Sequence, residues 1–209
     1  MSVQFQQVMK DLSFELKSLF QADALAIVPG SGTAGMEAVV RALATDKDAV
    51  IVRNGWFSYR WTQILEATGV AKSSHVFKAC LQEGENGQFV PADINEVTAY
   101  IKTHRPGVVF APHVETASGM MLSDEYIRAL AEAVHLVGGL LVIDCIASGC
   151  IWLDMKALGI DQIAAGTPLQ VGEPSDYKSF RIGLFGLDKL TDIEGTVERF
   201  KHAADQVFV

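Results

Sequence analysis

Cysteine is scarce. Three cysteines in 209 residues, Cys80, Cys145 and Cys150, are too few and too odd in number for a disulfide framework. The C-x4-C spacing of Cys145 and Cys150, even with His113 added, matches no standard metal site, so no metal is expected and the thiols are read as free and buried. Positive charge is also short. Lysine and arginine number 17 against 25 aspartates and glutamates, a net charge of −8, and no basic cluster stands out to neutralise phosphates. That excludes nucleic acid and anionic membrane as expected partners. Long apolar runs are missing: none reaches the roughly 18 residues of a membrane span, and residues 1–20 carry charges throughout instead of an uninterrupted signal-type apolar stretch. The expectation is a cytoplasmic protein that meets small molecules or other proteins.

With 49% hydrophobic and 20% charged residues, the chain can bury a sizeable core. From Phe5 to Phe20 apolar residues recur at three and four, the spacing of a helix with one buried stripe. Short runs at 24–28 (ALAIV), 49–52 (AVIV), 107–111 (GVVFA) and 139–143 (GLLVI) are strand-like and lack polar alternation, so both faces of each should be covered. Helical segments are predicted near 34–44, 58–68, 91–104 (started by Pro91) and 123–137 (capped by Ser123). Strand alternating with helix means a mostly parallel α/β sheet, whose ligands gather beyond the carboxyl ends of the strands. The polar stretches sit there: PGSGT, RNG, PHVETASG and DCIASG. Past Ala165 prolines and glycines cluster before a final amphipathic segment, which marks a boundary.

Residues 30–35 spell G-x-G-x-x-G. A dinucleotide turn would want an acidic residue at the end of the next strand, where Val52-Arg53-Asn54 stands; Arg53 could instead meet a 2′-phosphate, which keeps an NADP reading open. A glycine-rich packing turn is open as well. Every functional version shares one piece of physics: small residues and free N–H groups at a helix start favour an anion. Asp144 ends a wholly apolar strand, where a carboxylate is costly unless it serves a partner. It is either a loop cap or the partner of a protonated ring nitrogen, as electron-sink chemistry on a pyridine cofactor requires. His113, Glu115, Thr116 and Ser118 follow another such strand and are expected to face the same crevice. For His113 taken singly, a satisfied core histidine is the preferred reading.

Taken in order, GSGT at 30–33, RNGWFSYRW at 53–61, HVETASG at 113–119 and VIDCIASG followed by WLDMKALGID at 142–161 resemble the large domain of class V aminotransferases. These are pyridoxal-phosphate enzymes of fold type I that include alanine–glyoxylate and serine–pyruvate aminotransferases. The resemblance runs from about Leu12 to Ala165 and resumes at Phe180. It implies a three-layer, mostly parallel sheet flanked by helices over 1–170, the coenzyme-binding large domain, and a short remnant of the C-terminal α+β small domain over 171–209. It implies pyridoxal 5′-phosphate as cofactor, and a homodimer that moves an amino group between a small amino acid and a 2-oxo acid such as pyruvate or glyoxylate.

By position, the resemblance gives Ser31, Gly32 and Thr33 to the coenzyme phosphate and Phe57, with Trp56 as fallback, to stacking on the ring. Thr116 goes to the ring substituents, Asp144 to the ring nitrogen as the catalytic carboxylate, Ile146 to the opposite ring face, and Arg181 to the substrate carboxylate. One departure matters. Leu169 stands near the place of the Schiff-base lysine, and leucine can neither form an imine nor move a proton. Lys178 is a poor replacement, and Lys156 is read as lying on a short exposed helix. The alternative is therefore a truncated, non-catalytic homologue that binds coenzyme or a partner without turnover.

Overall fold

A computed structural model describes residues 2–82, 88–149 and 151–164, together with Gly195 and Glu198. At its centre is a five-stranded sheet in the order β2-β1-β5-β8-β9. Its strands are β1 (Asp48–Arg53), β2 (Ser73–Lys78), β5 (Val108–Pro112), β8 (Leu140–Asp144) and β9 (Gln162–Ala164). All neighbouring pairs run parallel. Two small antiparallel ribbons, β3 (Cys80–Leu81) with β4 (Phe89–Val90) and β6 (Val114–Glu115) with β7 (Met120–Met121), lie outside that sheet.

Helices α1 (Val3–Phe20), α2 (Gly32–Leu43), α3 (Tyr59–Thr68), α4 (Ile94–His104), α5 (Asp124–Leu136) and the short α6 (Met155–Leu158) complete the order. The core divides between the two faces of the sheet, as the two-residue period of a strand requires. On one face Val50, Val52, Val109, Ala111, Leu141 and Ile143 pack with residues of α4 and α5. On the other, Ala49, Ile51, Val108, Phe110 and Val142 pack with α2 and α3, where Trp61 stacks on Phe110 at 4.6 Å between ring centroids. A run such as Val108–Ala111 is apolar throughout because helices cover both sides of it. The expected three-layer α/β fold is present.

Several expectations are corrected. Residues 24–28 form no strand: they are irregular, with Leu25, Ile27 and Val28 exposed, because a strand exists only with a paired neighbour and no described strand offers one. Helix α1 forms where its spacing predicts, capped by Ser2 Oγ, but its stripe is not buried. Phe20 alone is, edge-on to Trp152, while Val3, Phe5, Val8, Leu12, Phe14 and Leu19 are exposed, no described element being packed over them. Helix α4 starts from Asp93, whose carboxylate accepts from Asn95 N, and not at Pro91. Strands β2 and β9 and both ribbons were not predicted. Cys80 is exposed, not buried, because it lies in the β3–β4 ribbon off the main sheet; Cys145 is buried. Lys156 does lie exposed on α6, 3.3 Å from Asp23. The boundary at 170/171, the small-domain remnant, Leu169, Lys178 and Arg181 fall outside the described residues. Of the final amphipathic segment Gly195 and Glu198 are described, and both are helical.

Candidate active site at the carboxyl end of the sheet

Strands β1 and β5 are neighbours in the sheet, yet β1 leads by way of α3 to β2 on one side while β5 leads by way of α5 to β8 on the other. The loops leaving their carboxyl ends therefore diverge and open a crevice, the place where such sheets take ligands. Four loops meet there.

The first is the turn into α2. Ser31 is its N-cap, in an extended conformation, with its hydroxyl accepting from Ala34 N and its carbonyl from Gly35 N. The N–H groups of Gly32 and Thr33 donate to nothing among the described residues. Gly32 is pressed against the loop after β8: a Cβ there would lie 2.6 Å from Ile146 Cδ1. Thr33 Oγ1 accepts from Arg60 Nη1 at 2.6 Å.

The second loop, 54–58, is built around Ser58, whose hydroxyl accepts from Asn54 N and Gly55 N. Phe57 is 41% exposed and Trp56 62%, so Phe57 is the better sheltered of the two rings. Arg53, kept open above for a 2′-phosphate, lies over the Tyr59 ring with its guanidinium carbon 4.8 Å from the centroid. Cation–aromatic packing accounts for it.

From the third loop comes a correction. Glu115 does not face the crevice but is fully buried, because its carboxylate is consumed by the second loop: Oε1 accepts from Phe57 N (3.2 Å), Oε2 from Ser58 N (2.8 Å) and Ser58 Oγ (2.7 Å), and Oε1 also from Ala117 N (3.3 Å). Thr116 follows it, half-buried. His113 is a satisfied core histidine, its Nδ1 2.8 Å from Ser148 Oγ. Burial holds the imidazole below its usual range, against a weaker pull upward from the Asp124 charge.

The fourth loop carries Asp144, the last residue of β8, in register between Pro112 and Ala164 and only 7% exposed. Its Oδ1 accepts from Ile146 N at 3.0 Å, and Oδ2 has no hydrogen-bond partner among the described residues. Burial lifts its carboxyl from 3.8 to about 6; the Glu115 charge adds to the rise, and the Ile146 N–H and the Arg60 charge oppose it. The Cys145 thiol beside it is pushed up to about 12, chiefly by burial, and is inert as a nucleophile at neutral pH. Among the described residues no group of His, Cys, Asp and Glu could hold a metal ion, and no helix is long and apolar enough to cross a membrane.

Ser31, Gly32, Thr33, Phe57, Thr116, Asp144 and Ile146 thus occupy loops at one end of the sheet, with Gly32 touching Ile146 and Asp144 bonded to it. Arg60 and the anchoring task of Glu115 were missed from sequence. The contact that reveals Arg60 runs 27 positions back along the chain, and the donors to Glu115 lie up to 58 positions away.

The curated relatives match about two thirds of the chain. L-aspartate–glyoxylate aminotransferase of Paracoccus denitrificans is 32% identical over 145 residues, 68% of this chain and 34% of that one. Serine–glyoxylate aminotransferase of Hyphomicrobium methylovorum matches with the same identity and the same shares. Of the solved structures, ureidoglycine–glyoxylate aminotransferase from Bacillus subtilis superposes with a TM-score of 0.61 at 27% identity, over 76% of this chain and 39% of that chain. No protein-family model matches the sequence. The chain spans about a third of the length of these curated relatives.

A mostly parallel α/β sheet flanked by helices is the fold of the pyridoxal-phosphate-dependent aminotransferases. Within them the chain belongs to the class V aminotransferase family.

Proposed function

We propose that this chain is the coenzyme-binding part of an aminotransferase that moves an amino group between a small amino acid and a 2-oxo acid of the glyoxylate or pyruvate type. The observation that carries this is Asp144: a carboxylate nine-tenths buried at a strand end, with one oxygen unpartnered among the described residues, beside a helix start whose first two N–H groups are also unpartnered. A lone buried carboxylate is costly, and a cationic ring nitrogen would repay it. The names of the relatives, which transfer amino groups with glyoxylate or pyruvate, support the substrate class.

The residues present fit pyridoxal 5′-phosphate. Ser31, Gly32 and Thr33 would hold its phosphate at the positive end of α2, where the Gly32 and Thr33 N–H groups are unpartnered among the described residues. Phe57 would stack on one ring face, Ile146 would cover the other, and Thr116 would meet the ring substituents. When bound, the coenzyme supplies an electron-accepting ring for the transfer. Asp144 would keep a proton on the ring nitrogen; its own carboxyl, at about 6 without a partner, would be drawn down by the cation it faces. Arg181 would clamp the substrate carboxylate, a task suited to a planar two-pronged donor. As parts of the same reading, the protein acts in the cytoplasm as a homodimer; the apolar side chains that α1 leaves exposed support association.

Titration of the purified protein with pyridoxal phosphate, followed by borohydride reduction and intact mass, tests the reading. Saturable binding lost in Asp144→Ala, together with amino transfer from alanine, serine or aspartate to glyoxylate, is expected. Binding that persists unchanged in Asp144→Ala sinks the assignment. Binding with no transfer and no reduced adduct moves the function to a coenzyme-holding homologue, the outcome Leu169 would dictate.

A further inference from the structure

Arg60 leaves the first turn of α3 and crosses to the start of α2. It is half-buried, and among the described residues it forms no ion pair, whereas Arg41 on α2 pairs with Glu37 and Arg128 on α5 with Asp124. A half-buried guanidinium without a counter-ion is unfavourable unless an anion completes its surroundings. Its one polar contact among the described residues is with the hydroxyl of Thr33, at 2.6 Å.

The direction of that bond has a consequence for Thr33. A guanidinium can only donate, so Thr33 Oγ1 is the acceptor. The hydroxyl proton must then point elsewhere, and no described group receives it. That proton is free to donate, as are the N–H groups of Gly32 and Thr33 on the same turn, which have no partner among the described residues.

We propose that Arg60 is a positioning residue of the phosphate cup: by donating to Thr33 Oγ1 it commits that hydroxyl to donate to the coenzyme phosphate, and it places a positive charge one hydroxyl behind it. The inference rests on the coenzyme reading above. The Arg60 charge also reaches Asp144, where it is the weakest of the influences on the carboxyl and pulls it downward against burial.

Calorimetric titration of the full apo chain with pyridoxal phosphate, pyridoxal and inorganic phosphate tests it. Arg60→Met should weaken pyridoxal phosphate and inorganic phosphate about tenfold, the scale of one lost charge-assisted hydrogen bond, and leave pyridoxal unchanged. Thr33→Val should do the same, Thr33→Ser should restore the affinity, and the Arg60→Met/Thr33→Val double variant should bind no more weakly than either single one. Unaltered phosphate affinity in Arg60→Met, or losses that add in the double variant, would overturn the inference while leaving the coenzyme reading intact. A parent protein that binds pyridoxal phosphate no better than pyridoxal would overturn both. If Arg60→Met does not fold, the Thr33→Val and Thr33→Ser pair decides: equal phosphate affinity in the two removes the hydroxyl from the cup and the inference with it.

Discussion

Glu115 and Ser58 are joined twice: one carboxylate oxygen, Oε2, accepts from both the backbone N–H and the hydroxyl of a residue 57 positions earlier. This contact locks the loop after β1 to the loop after β5 at the point where they diverge, and so decides where Phe57 stands. Charged acceptors bonded by buried donors are among the strongest polar contacts in a fold.

Removal of that acceptor should be expensive. Glu115→Ala leaves the Ser58 and Phe57 N–H groups without an acceptor among the described residues, takes the charged acceptor from the Ser58 hydroxyl, and is expected to cost at least about 3 kcal/mol in urea unfolding. A loss below about 1 kcal/mol would show that the loops hold without it.

Gly55 is predicted to be intolerant for the same reason. A Cβ there would lie 2.7 Å from Glu115 Cγ and 2.8 Å from its Cδ, and that side chain cannot swing away without breaking its bonds. Gly55→Ala should destabilise by about 1–3 kcal/mol, the usual cost of overpacking. A crystal structure of the variant should show Glu115 displaced; an unmoved Glu115 with parental stability refutes the argument.

Asp144 is expected to trade stability for binding. Its folded carboxyl sits at about 6 against an ordinary 3.8, so the folded state holds a proton that the unfolded chain gives up, and stability falls as pH rises from about 4 to about 6. Two units correspond to about 3 kcal/mol. Asp144→Asn keeps an oxygen for Ile146 N and removes the charge, so the apo protein should melt higher at pH 7.5 while losing pyridoxal phosphate affinity. A variant that melts lower contradicts the burial penalty.

His113 works in the opposite direction. Its folded pKa lies below 6.5, so the folded state resists protonation and stability is lost as pH falls below about 6.5. Between pH 4 and 6 the two groups partly cancel. Asp144→Asn should therefore unmask a steeper acid loss in chemical unfolding, and adding His113→Asn should flatten it again. An unchanged slope in Asp144→Asn would remove one of the two from the account.

Gly32→Ala separates packing from binding. The new Cβ meets Ile146 Cδ1, the movable end of a side chain 39% exposed, and alanine suits a helix start better than glycine does. Thermal stability should change by less than about 1 kcal/mol. Coenzyme affinity should fall several-fold as Ile146 is pushed aside. Equal affinity in parent and variant argues against a phosphate or ring at this contact.

What could be read from the chain without a structure follows from local rules. Strands β1, β5 and β8 were legible because burial on both faces removes polar alternation, and Asp144 was legible because a carboxylate closing such a strand is costly. Strand β2, SSHVFK, was not, since it lies at the sheet edge with most of its residues exposed. Residues 24–28 read as a strand and are none, because apolar composition supplies propensity while pairing needs a neighbour. The stripe of α1 predicted a helix correctly and its burial wrongly, for a like reason.

The sequence by itself determined the layered α/β architecture and the end of the sheet at which polar residues collect, since each depends on periodicity or on a residue's place at a strand end, and its ordered motifs carried the resemblance to the family. Only the tertiary structure decided that Glu115 anchors a loop instead of lining the crevice, that Arg60 reaches Thr33, and that Gly32 lies against Ile146. Those pairs are separated by dozens of positions or more, and a contact of that kind is created by how strands order themselves in a sheet, which no local pattern records.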